Sequence, residues 1–326
     1  MANFKIYIFV FLLGMVIVGI VTVAARYSGE IRAAHKRVNN LGSRVIETER
    51  GPVEYARFGD GYPVMVVHGA MGGFDQGLML ADQFIGSDFQ VISVSRFGYL
   101  RSPLPAEATI TKQADTFACL LDSLGIQRVA VFAVSGGANS AIRFAARHPE
   151  RVSALILISP AAPGKVKVAS PPRAVFDILL RNDFTCWAFN TFFKPIMQSM
   201  IGVPKGFVLT PELDAEVKTT LAGMMPSSRR IDGMIFDMYT SSPEFYESVS
   251  ETSPYPLGNI ETPVLMINAM DDSLAVPENV RSLAGQIPNA RLFVMPDGGH
   301  ILLGHTEEVK SEISRFLRTN ADGFKK

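Results

Sequence analysis

The sequence predicts an α/β protein: a mostly parallel, twisted sheet flanked by helices, with an inserted helical cap and an apolar N-terminal helix. Three observations predict it. Short β-branched runs alternate with helical patterns from residue 53 to residue 158, which is typical of a parallel sheet covered on both faces. One of these runs ends abruptly at Ser135, which two glycines follow. An uncharged run, residues 6–25, precedes all of these elements.

The N-terminal run, residues 6–25, is long enough at about 1.5 Å per residue to cross a hydrocarbon core of about 30 Å. We therefore expect a single-pass membrane anchor over residues 1–26. A cleaved signal segment is the alternative, because Lys5 precedes the run and small residues close it, but its apolar region is usually only about 7 to 15 residues long. The side of the membrane stays open: four basic residues after the run favour the cytoplasm, whereas an export route would place the globular part outside.

Residues 27–50 are polar and of mixed charge, and we expect a stalk or linker helix there. The first part of the globular core then occupies residues 51–160. Its predicted elements alternate as the fold class requires. They are the strands 53–58, 64–67, 90–94, 129–134 and 154–158, the helix 111–124, and a helix after Ser135 that ends near His148.

The alternation stops over residues 161–256, which are helical in pattern and rich in Phe and Met. We expect this segment to be a cap over the strand ends, with the second part of the core in residues 257–326. Most of its large side chains should fill the cap's own core, while one side forms an adaptable apolar pocket. These side chains are Phe176, Phe184, Trp187, Phe189, Phe192, Phe193, Met197, Met200, Met224, Met225, Met234, Phe236 and Met238.

Ser135 is the candidate nucleophile. A strand that turns at this serine and re-enters a helix through Gly136 and Gly137 would hold the hydroxyl on a tight, exposed corner. The residues two positions either side must be small because strand and helix cross closely there, and Ala133 and Gly137 meet that need. A glycine-rich turn with an ordinary capping serine is the alternative.

A catalytic serine needs a base within hydrogen-bond reach and a third group that orients the base. His300 is the candidate base, because it stands on a glycine-rich loop after the strand pattern 291–294 and an imidazole exchanges protons near neutral pH. The carboxylate should follow the strand pattern 264–267, where two aspartates are adjacent. We prefer Asp272, which lies further along the loop, and Asp271 remains the alternative.

The order Ser, Asp, His, each after a strand, resembles that of the α/β-hydrolase superfamily in its serine-nucleophile, esterase-like branch. The resemblance runs from about residue 53 to residue 317, interrupted by the cap. The turn H-G-A-M-G-G, which begins at His68, resembles the family's oxyanion loop. The resemblance implies that the backbone N–H groups of Ala70 and Gly136 bind the charge on the carbonyl oxygen, and that His68 positions the loop.

The chain departs from the family pattern at several positions. The corner reads A-V-S-G-G instead of G-x-S-x-G, and Ala269 stands where a glycine often precedes the acid. Residues 95–102, S-R-F-G-Y-L-R-S, resemble the scaffold segment D-x-R-G-x-G-x-S, with Phe97 at the arginine and Leu100 at the second glycine. A serine at the corner, instead of aspartate, argues against the dehalogenase and epoxide-hydrolase branches.

Composition excludes other classes of protein. The chain carries 31 basic and 31 acidic residues and no basic run, so nucleic acid is not an expected partner. Its two cysteines, Cys119 and Cys186, form no C-x-x-C pair and do not fix the redox compartment. The dinucleotide, phosphate-loop and zincin motifs are missing from the sequence, so no cofactor or metal is implied.

The resemblance implies a serine hydrolase that cleaves a carboxylic ester through an acyl-enzyme, and the apolar cap predicts that the acyl group is lipophilic. A carbon–carbon bond hydrolase or an acyltransferase would use the same three residues. A hydrolase fold that serves only as a membrane-tethered binding module is an alternative from another class. The substrate, its chain length and the oligomeric state stay open.

Overall fold

A computed structural model of the chain describes residues 2–166, 171–249 and 255–320. One eight-stranded sheet forms its centre, in the order β1-β2-β4-β3-β5-β6-β7-β8. All strands from β3 to β8 run parallel, and only β1 and β2 at one edge pair in antiparallel fashion. The strands are β1 Arg44–Thr48, β2 Gly51–Phe58, β3 Tyr62–Val67, β4 Phe89–Val94, β5 Val129–Val134, β6 Val152–Ile158, β7 Val264–Ala269 and β8 Ala290–Met295.

Helices cover both faces of the sheet, because alternate residues of each buried strand point to opposite faces. In β3, Met65 and Val67 pack into one core beneath the helices α3, α4 and α11. Val64 and Val66 pack into the other core, beneath α2 and α12. These helices are α2 Phe74–Phe84, α3 Ile110–Ser123, α4 Gly137–Arg147, α11 Pro277–Gly285 and α12 Thr306–Asn320. The predicted α/β class and mostly parallel sheet are confirmed.

Among the described residues between β6 and β7, six α-helices and a π-helical turn form the cap. They enclose an apolar core of their own, which contains Phe176, Trp187 and Met197. A π-helical turn, Asp237–Ser241, interrupts the last part of the cap. The cap helices are α5 Arg173–Leu180, α6 Asp183–Phe192, α7 Lys194–Met200, α8 Pro211–Gly223, α9 Ile231–Phe236 and α10 Ser242–Ser248.

The N-terminal helix α1 runs unbroken from Ala2 to Asn40. In the described part of the chain it is the one helix long and apolar enough to cross a membrane, and its apolar window is fully exposed. This finding is weaker than the single-pass anchor that we expected, since a signal segment would fit it equally well.

Residues 27–50 differ from the expected linker. Residues 27–40 continue α1, and Ala34 and Val38 are buried against the globular part. Residues 44–48 form β1, which pairs with β2 at the edge of the sheet. The physical reason is a stripe of apolar residues at helical spacing, Tyr27, Ile31, Ala34 and Val38, within an otherwise polar segment. This stripe buries apolar surface that a free stalk would leave in water.

Candidate active site

Ser135 lies on a strained corner between β5 and α4. Its backbone φ of 50° falls in the left-handed region, which residues other than glycine rarely adopt. Holding a serine in this conformation costs about 1–3 kcal/mol. Helix α4 packs close to the loop after β3: a Cβ on Gly137 would stand 2.4 Å from the carbonyl oxygen of His68. Only glycine allows this close approach. The tight corner that results exposes the Ser135 side chain to the cavity.

His300 and Asp272 meet Ser135 at the ends of three different strands. Nε2 of His300 is 2.9 Å from Oγ of Ser135, and Nδ1 of His300 is 3.1 and 3.0 Å from the two carboxylate oxygens of Asp272. Asp272 is buried, and its Oδ1 also accepts the backbone N–H groups of Leu274 and Ala275, each at 2.8 Å. The structure therefore brings these three predicted residues together in one hydrogen-bonded row.

Asp271, the alternative acid, points elsewhere. Its Oδ1 accepts the backbone N–H of Gly299 at 2.9 Å. That bond fixes the loop that carries His300 without touching the imidazole. The two adjacent aspartates thus hold the same loop in different ways, one through its backbone and one through the histidine ring.

Ala70 and Gly136, the predicted oxyanion donors, both lie near Ser135. Ala70 lines the same cavity as the Ser135 hydroxyl, and Gly136 follows the serine in the chain. Within the residues described, neither N–H donates a hydrogen bond to the protein. Both donors are therefore free for a carbonyl oxygen bound beside the serine, which is the arrangement that stabilises a tetrahedral intermediate.

The orientation of the Ala70 N–H is set from behind the loop. The carbonyl oxygen of Gly69 lies 2.7 Å from Nδ1 of His68 and accepts Nη2 of Arg96 at 3.1 Å. In a trans peptide the C=O and the following N–H point in opposite directions. Because His68 and Arg96 hold the carbonyl on the buried side, the N–H of Ala70 must face the opposite side of the peptide.

His68 is fully buried and neutral. Its Nε2 accepts the backbone N–H of Arg96 at 3.0 Å, so the single ring proton is on Nδ1 and is donated to Gly69. Burial lowers the pKa of His68 well below its usual range, and the nearby Arg96 cation lowers it further. Through these bonds the ring holds the loop, as the resemblance implied, and its two partners are backbone groups outside the hydrogen-bonded row.

Sequence reasoning missed the group that holds Arg96. The guanidinium is buried and forms a bidentate ion pair with Asp237 of the cap, at 2.5 and 2.6 Å. The hydroxyl of Tyr99 donates to the same carboxylate at 2.5 Å. Arg96 stands one position before the residue that the family pattern makes arginine, which was the available signal. Nothing in the sequence linked it to an aspartate 141 residues away.

The cavity in front of Ser135 has a volume of about 170 Å³ and is mostly apolar. Three of the predicted cap methionines line it, Met200, Met224 and Met234, and none of the predicted Phe residues does. The other apolar lining residues are Met71, Met79, Leu80, Phe84, Val134, Ile158, Leu180, Ile201, Leu274 and Ile301. Most of the aromatic residues instead fill the cap's core or lie on its surface.

A polar pair interrupts this lining. Nε2 of Gln83 donates to a carboxylate oxygen of Glu216 at 3.0 Å, and both side chains line the cavity. Burial raises the pKa of Glu216. Neither residue carried a signal in the sequence, since they belong to a core helix and a cap helix far apart in the chain.

Two further histidines, His148 and His305, have other partners. His148 ends α4 and contacts Asp115, and His305 contacts Asp297. In residues 2–166, 171–249 and 255–320, no group of three or more His, Cys, Asp or Glu side chains could hold a metal ion.

Comparisons with known proteins agree with this architecture. A family model described as alpha/beta hydrolase fold matches residues 62–304. A poly(3-hydroxyalkanoate) depolymerase of Ectopseudomonas oleovorans is 29% identical over 199 residues, which are 61% of this chain and 64%, less than two thirds, of that protein. A 2-hydroxymuconate semialdehyde hydrolase of Pseudomonas putida is 26% identical over 263 residues, 79% of this chain and 88% of that protein.

A solved structure extends the likeness to three dimensions. An alpha/beta hydrolase fold protein from Nakamurella multipartita superposes with a TM-score of 0.66 at 27% identity, over 85% of this chain and 99% of that one. The family match begins at β3, includes the corner at Ser135 and the whole cap, and ends just past His300. Because the match takes in most of the chain and every residue of the hydrogen-bonded row, the chain belongs to the α/β-hydrolase family.

Proposed function

We propose that the protein is a serine hydrolase that cleaves a lipophilic carboxylic ester through an acyl-enzyme. Oγ of Ser135 attacks the ester carbonyl carbon while Nε2 of His300 takes the hydroxyl proton. The N–H groups of Ala70 and Gly136 bind the oxyanion, and Asp272 holds the imidazolium. His300 then gives its proton to the leaving alkoxide. In the second half, His300 takes a proton from water as the hydroxide attacks the acyl carbon. The bond between the acyl group and Oγ then breaks, Oγ takes the proton back from His300, and the acid is released.

One observation carries the proposal: the continuous row from Ser135 through His300 to Asp272, with bonds of 2.9 to 3.1 Å. A serine on a strained corner, next to an imidazole whose other nitrogen meets a buried carboxylate, has the geometry of an activated nucleophile. A binding module has no need of this row, so its presence favours an enzyme over a silent hydrolase fold.

The lining of the cavity supports a lipophilic substrate. Flexible methionine side chains from the cap face Ser135 across a space bounded mainly by Leu, Ile, Met and Phe. Such a lining gains free energy when an apolar chain displaces water, and methionine adapts to chains of different shape.

A carbon–carbon bond hydrolase is the second candidate. The 2-hydroxymuconate semialdehyde hydrolase that this chain resembles over 79% of its length favours it. The same serine, histidine and aspartate would serve, and the leaving group would be a carbon atom instead of an oxygen. An acyltransferase would differ only in the acceptor that replaces water.

We also propose that residues 6–25 anchor the enzyme in a membrane. The helix is continuous, uncharged over this run and exposed throughout its most apolar window. A cleaved signal segment would leave the mature enzyme free, so extraction of membranes at alkaline pH separates the two alternatives. The proposal makes no choice of membrane side.

Fluorophosphonate labelling tests the mechanism. The wild type should be labelled covalently, and Ser135→Ala should lose both labelling and at least about 10⁴-fold in kcat on an ester. Ser159→Ala is the matched control and should still be labelled, because Ser159 is a buried serine that lines the same cavity and its hydroxyl has no partner among the described residues. Unchanged labelling of Ser135→Ala would show that the nucleophile is wrongly assigned.

A substrate panel then separates the candidates. Esters of increasing acyl length should show kcat/KM that rises with chain length. A strong preference for short, polar acyl groups would contradict the lipophilic pocket and leave the mechanism standing. Turnover of a vinylogous 1,5-diketone with no turnover of any ester would favour the carbon–carbon bond hydrolase.

A further inference from the structure

Two cap helices present large apolar side chains to the outside. Phe184 and Phe192 of α6 are 44% and 57% exposed, and Phe193 and Ile196, at the start of α7, are 49% and 51% exposed. We call these four residues the cap apolar face. Single exposed apolar residues are normal on a protein surface. Four of them on two successive short helices instead indicate a surface that contacts a membrane or another protein.

This face is continuous with the N-terminal helix. Tyr27 of α1 packs edge-on against Phe184, with ring centroids 5.2 Å apart, and against Trp187 at 5.4 Å. Trp187 in turn packs against Phe192 at 5.9 Å, and its indole N–H donates to Glu30 of α1 at 2.7 Å. One aromatic cluster therefore joins α1 to the exposed phenylalanines.

The contact reaches into the apolar run itself. Val23 lies inside residues 6–25 and packs against the cap's core, whereas its neighbours on α1 toward the N-terminus are exposed. Tyr27 is only two residues, about 3 Å along a helix axis, beyond Ala25. If residues 6–25 cross a bilayer, the cap therefore lies at the depth of the last turn of the span, with no stalk to hold it away.

The C-terminal part of α1 is also fixed to the globular part of the protein. Nη2 of Arg37 donates to the carbonyl of Met225 at 2.7 Å and contacts Asp75 of the core at 3.5 Å. Val38 is buried at 2% exposure. Since α1 is unbroken and is fixed to both the cap and the core between residues 23 and 38, the orientation of the body relative to the span is fixed as well.

We infer that the cap apolar face is seated in the lipid interface of the membrane that α1 crosses, so that this enzyme takes its substrate from the bilayer. The inference rests on the proposed membrane anchor and on the proposed lipophilic ester. Tyr27 and Trp187, which pack against this face, carry the amphipathic rings that favour such a boundary, and the phenylalanines and Ile196 gain free energy when lipid covers them. Helix α7, which begins beside Phe193, ends at Met200, which lines the cavity. Helix α7 thus contacts lipid through one face and contributes Met200 to the cavity in front of Ser135.

Spin labels on the full-length protein in phosphatidylcholine vesicles test the depth of this face. The label is placed at Ile196→Cys or Phe58→Cys in a background with Cys119 and Cys186 replaced by serine and alanine, respectively. Phe58 is the matched control: it is 48% exposed, and its partner Val91 lies at the start of β4, so it stands at the opposite end of the sheet from Ser135. Flotation of the vesicles first establishes whether the chain is anchored.

The Ile196 label should be accessible to oxygen and protected from a water-soluble nickel chelate, whereas the Phe58 label should be open to the chelate. Equal access of the chelate to both labels in floated protein would overturn the inference and leave the anchor intact. Protein that does not float would overturn both.

A kinetic measurement gives a second readout. Ile196→Asp should lower kcat/KM about tenfold or more on an ester embedded in the vesicles, while hydrolysis of a short water-soluble ester stays as in wild type. Phe58→Asp should change neither rate. An equal loss of kcat/KM on both esters would mean that Ile196 supports the fold and not the entry of substrate from the bilayer. If the wild type itself hydrolyses neither ester, the proposed function fails instead.

Discussion

At the scale of single residues, the orientation of the peptide between Gly69 and Ala70 decides which way the Ala70 N–H points. Arg96 and His68 both hold the carbonyl of Gly69, and the planarity of the peptide then turns the N–H of Ala70 the other way. Asp237, from the cap, neutralises and orients the guanidinium of Arg96. Arg96 is thus a positioning residue, which acts on the proposed oxyanion site through a backbone group.

Arg96→Lys should lower kcat about 10- to 100-fold with little change in KM. Lysine keeps the charge but cannot hold Asp237 and the Gly69 carbonyl together, and losing one oxyanion donor outright costs about 10² to 10³. Arg101→Lys, in the same segment but bound to Glu54, is the matched control and should keep the wild-type kcat. Equal losses in both variants, or a change confined to KM, would refute the positioning role.

His68 should make stability depend on pH. Its folded pKa is lowered by burial, so the unfolded chain takes up a proton first, below about pH 6.5, and the stability present above that pH is lost as the pH falls toward the folded pKa. The slope for one proton is about 1.4 kcal/mol per pH unit. The advantage of the wild type over His68→Gln, measured as the unfolding midpoint, should therefore shrink between pH 7 and pH 5. A pH-independent difference would contradict this account.

At the scale of elements, the corner between β5 and α4 depends on two adjacent glycines with different environments. A Cβ on Gly137 would lie 2.4 Å from the backbone oxygen of His68, whereas the nearest atom to a Cβ on Gly136 is 3.8 Å away. Gly136 also has the ordinary helical φ of −61°. The family pattern, with glycine only two positions after the serine, follows from this difference.

Gly137→Ala should lower the thermal unfolding midpoint substantially, because one or two backbone segments must shift and overpacking costs about 1–3 kcal/mol or more. Gly136→Ala should fold with a midpoint near that of the wild type. Circular dichroism of the two variants checks this pair. Similar midpoints for both would mean that the crossing of α4 and the β3 loop is looser than the structure has it.

The elements that the sequence analysis placed least well lie between the span and the first predicted strand. A pattern of Tyr27, Ile31, Ala34 and Val38 at helical spacing was present, but charged residues between them made the segment resemble a solvated linker. Strand β1 is short, half exposed and at the edge of the sheet, so its sequence lacks the apolar run of a buried strand. Helix α2 was likewise missed, since it begins in a glycine-rich loop.

At the scale of the whole molecule, a buried ion pair joins the core, the cap and the N-terminal helix. Arg230 of the cap and Asp75 of α2 are both buried, with Nη2 and Oδ2 2.7 Å apart. Arg37 of α1 contacts the same carboxylate. Such a pair gives little net stability against an apolar replacement, but its loss on one side leaves an uncompensated charge in the interior.

Arg230→Leu should therefore destabilise the protein by about 3 kcal/mol or more, because Asp75 keeps only its longer contact with Arg37. The double variant Asp75→Leu, Arg230→Leu should recover part of the loss. Thermal unfolding of the two variants in detergent gives the comparison. A double variant less stable than Arg230→Leu would indicate that the contact between Asp75 and Arg37, and not an uncompensated charge, dominates at this joint.

The sequence by itself determined the α/β class, because strand periodicity is a local pattern. From a glycine corner and polar loops at strand ends it also named three residues, which the structure joins in one row, and their catalytic role stays a prediction. The choice of Asp272 over Asp271 stays a prediction of catalytic role, although the structure aims only Asp272 at the imidazole. Local sequence patterns cannot predict which side chain, far away in the sequence, a given residue contacts in the folded protein.

Only the tertiary structure decided that Asp237 holds Arg96, that Glu216 meets Gln83 in the cavity, and that α1 lies against the cap instead of standing apart from it. These pairs are separated by more than 100 residues in the chain, and each depends on how the cap is seated over the sheet. Burial makes such contacts decisive, because a charge or polar group removed from water must find its partner wherever the fold has placed it.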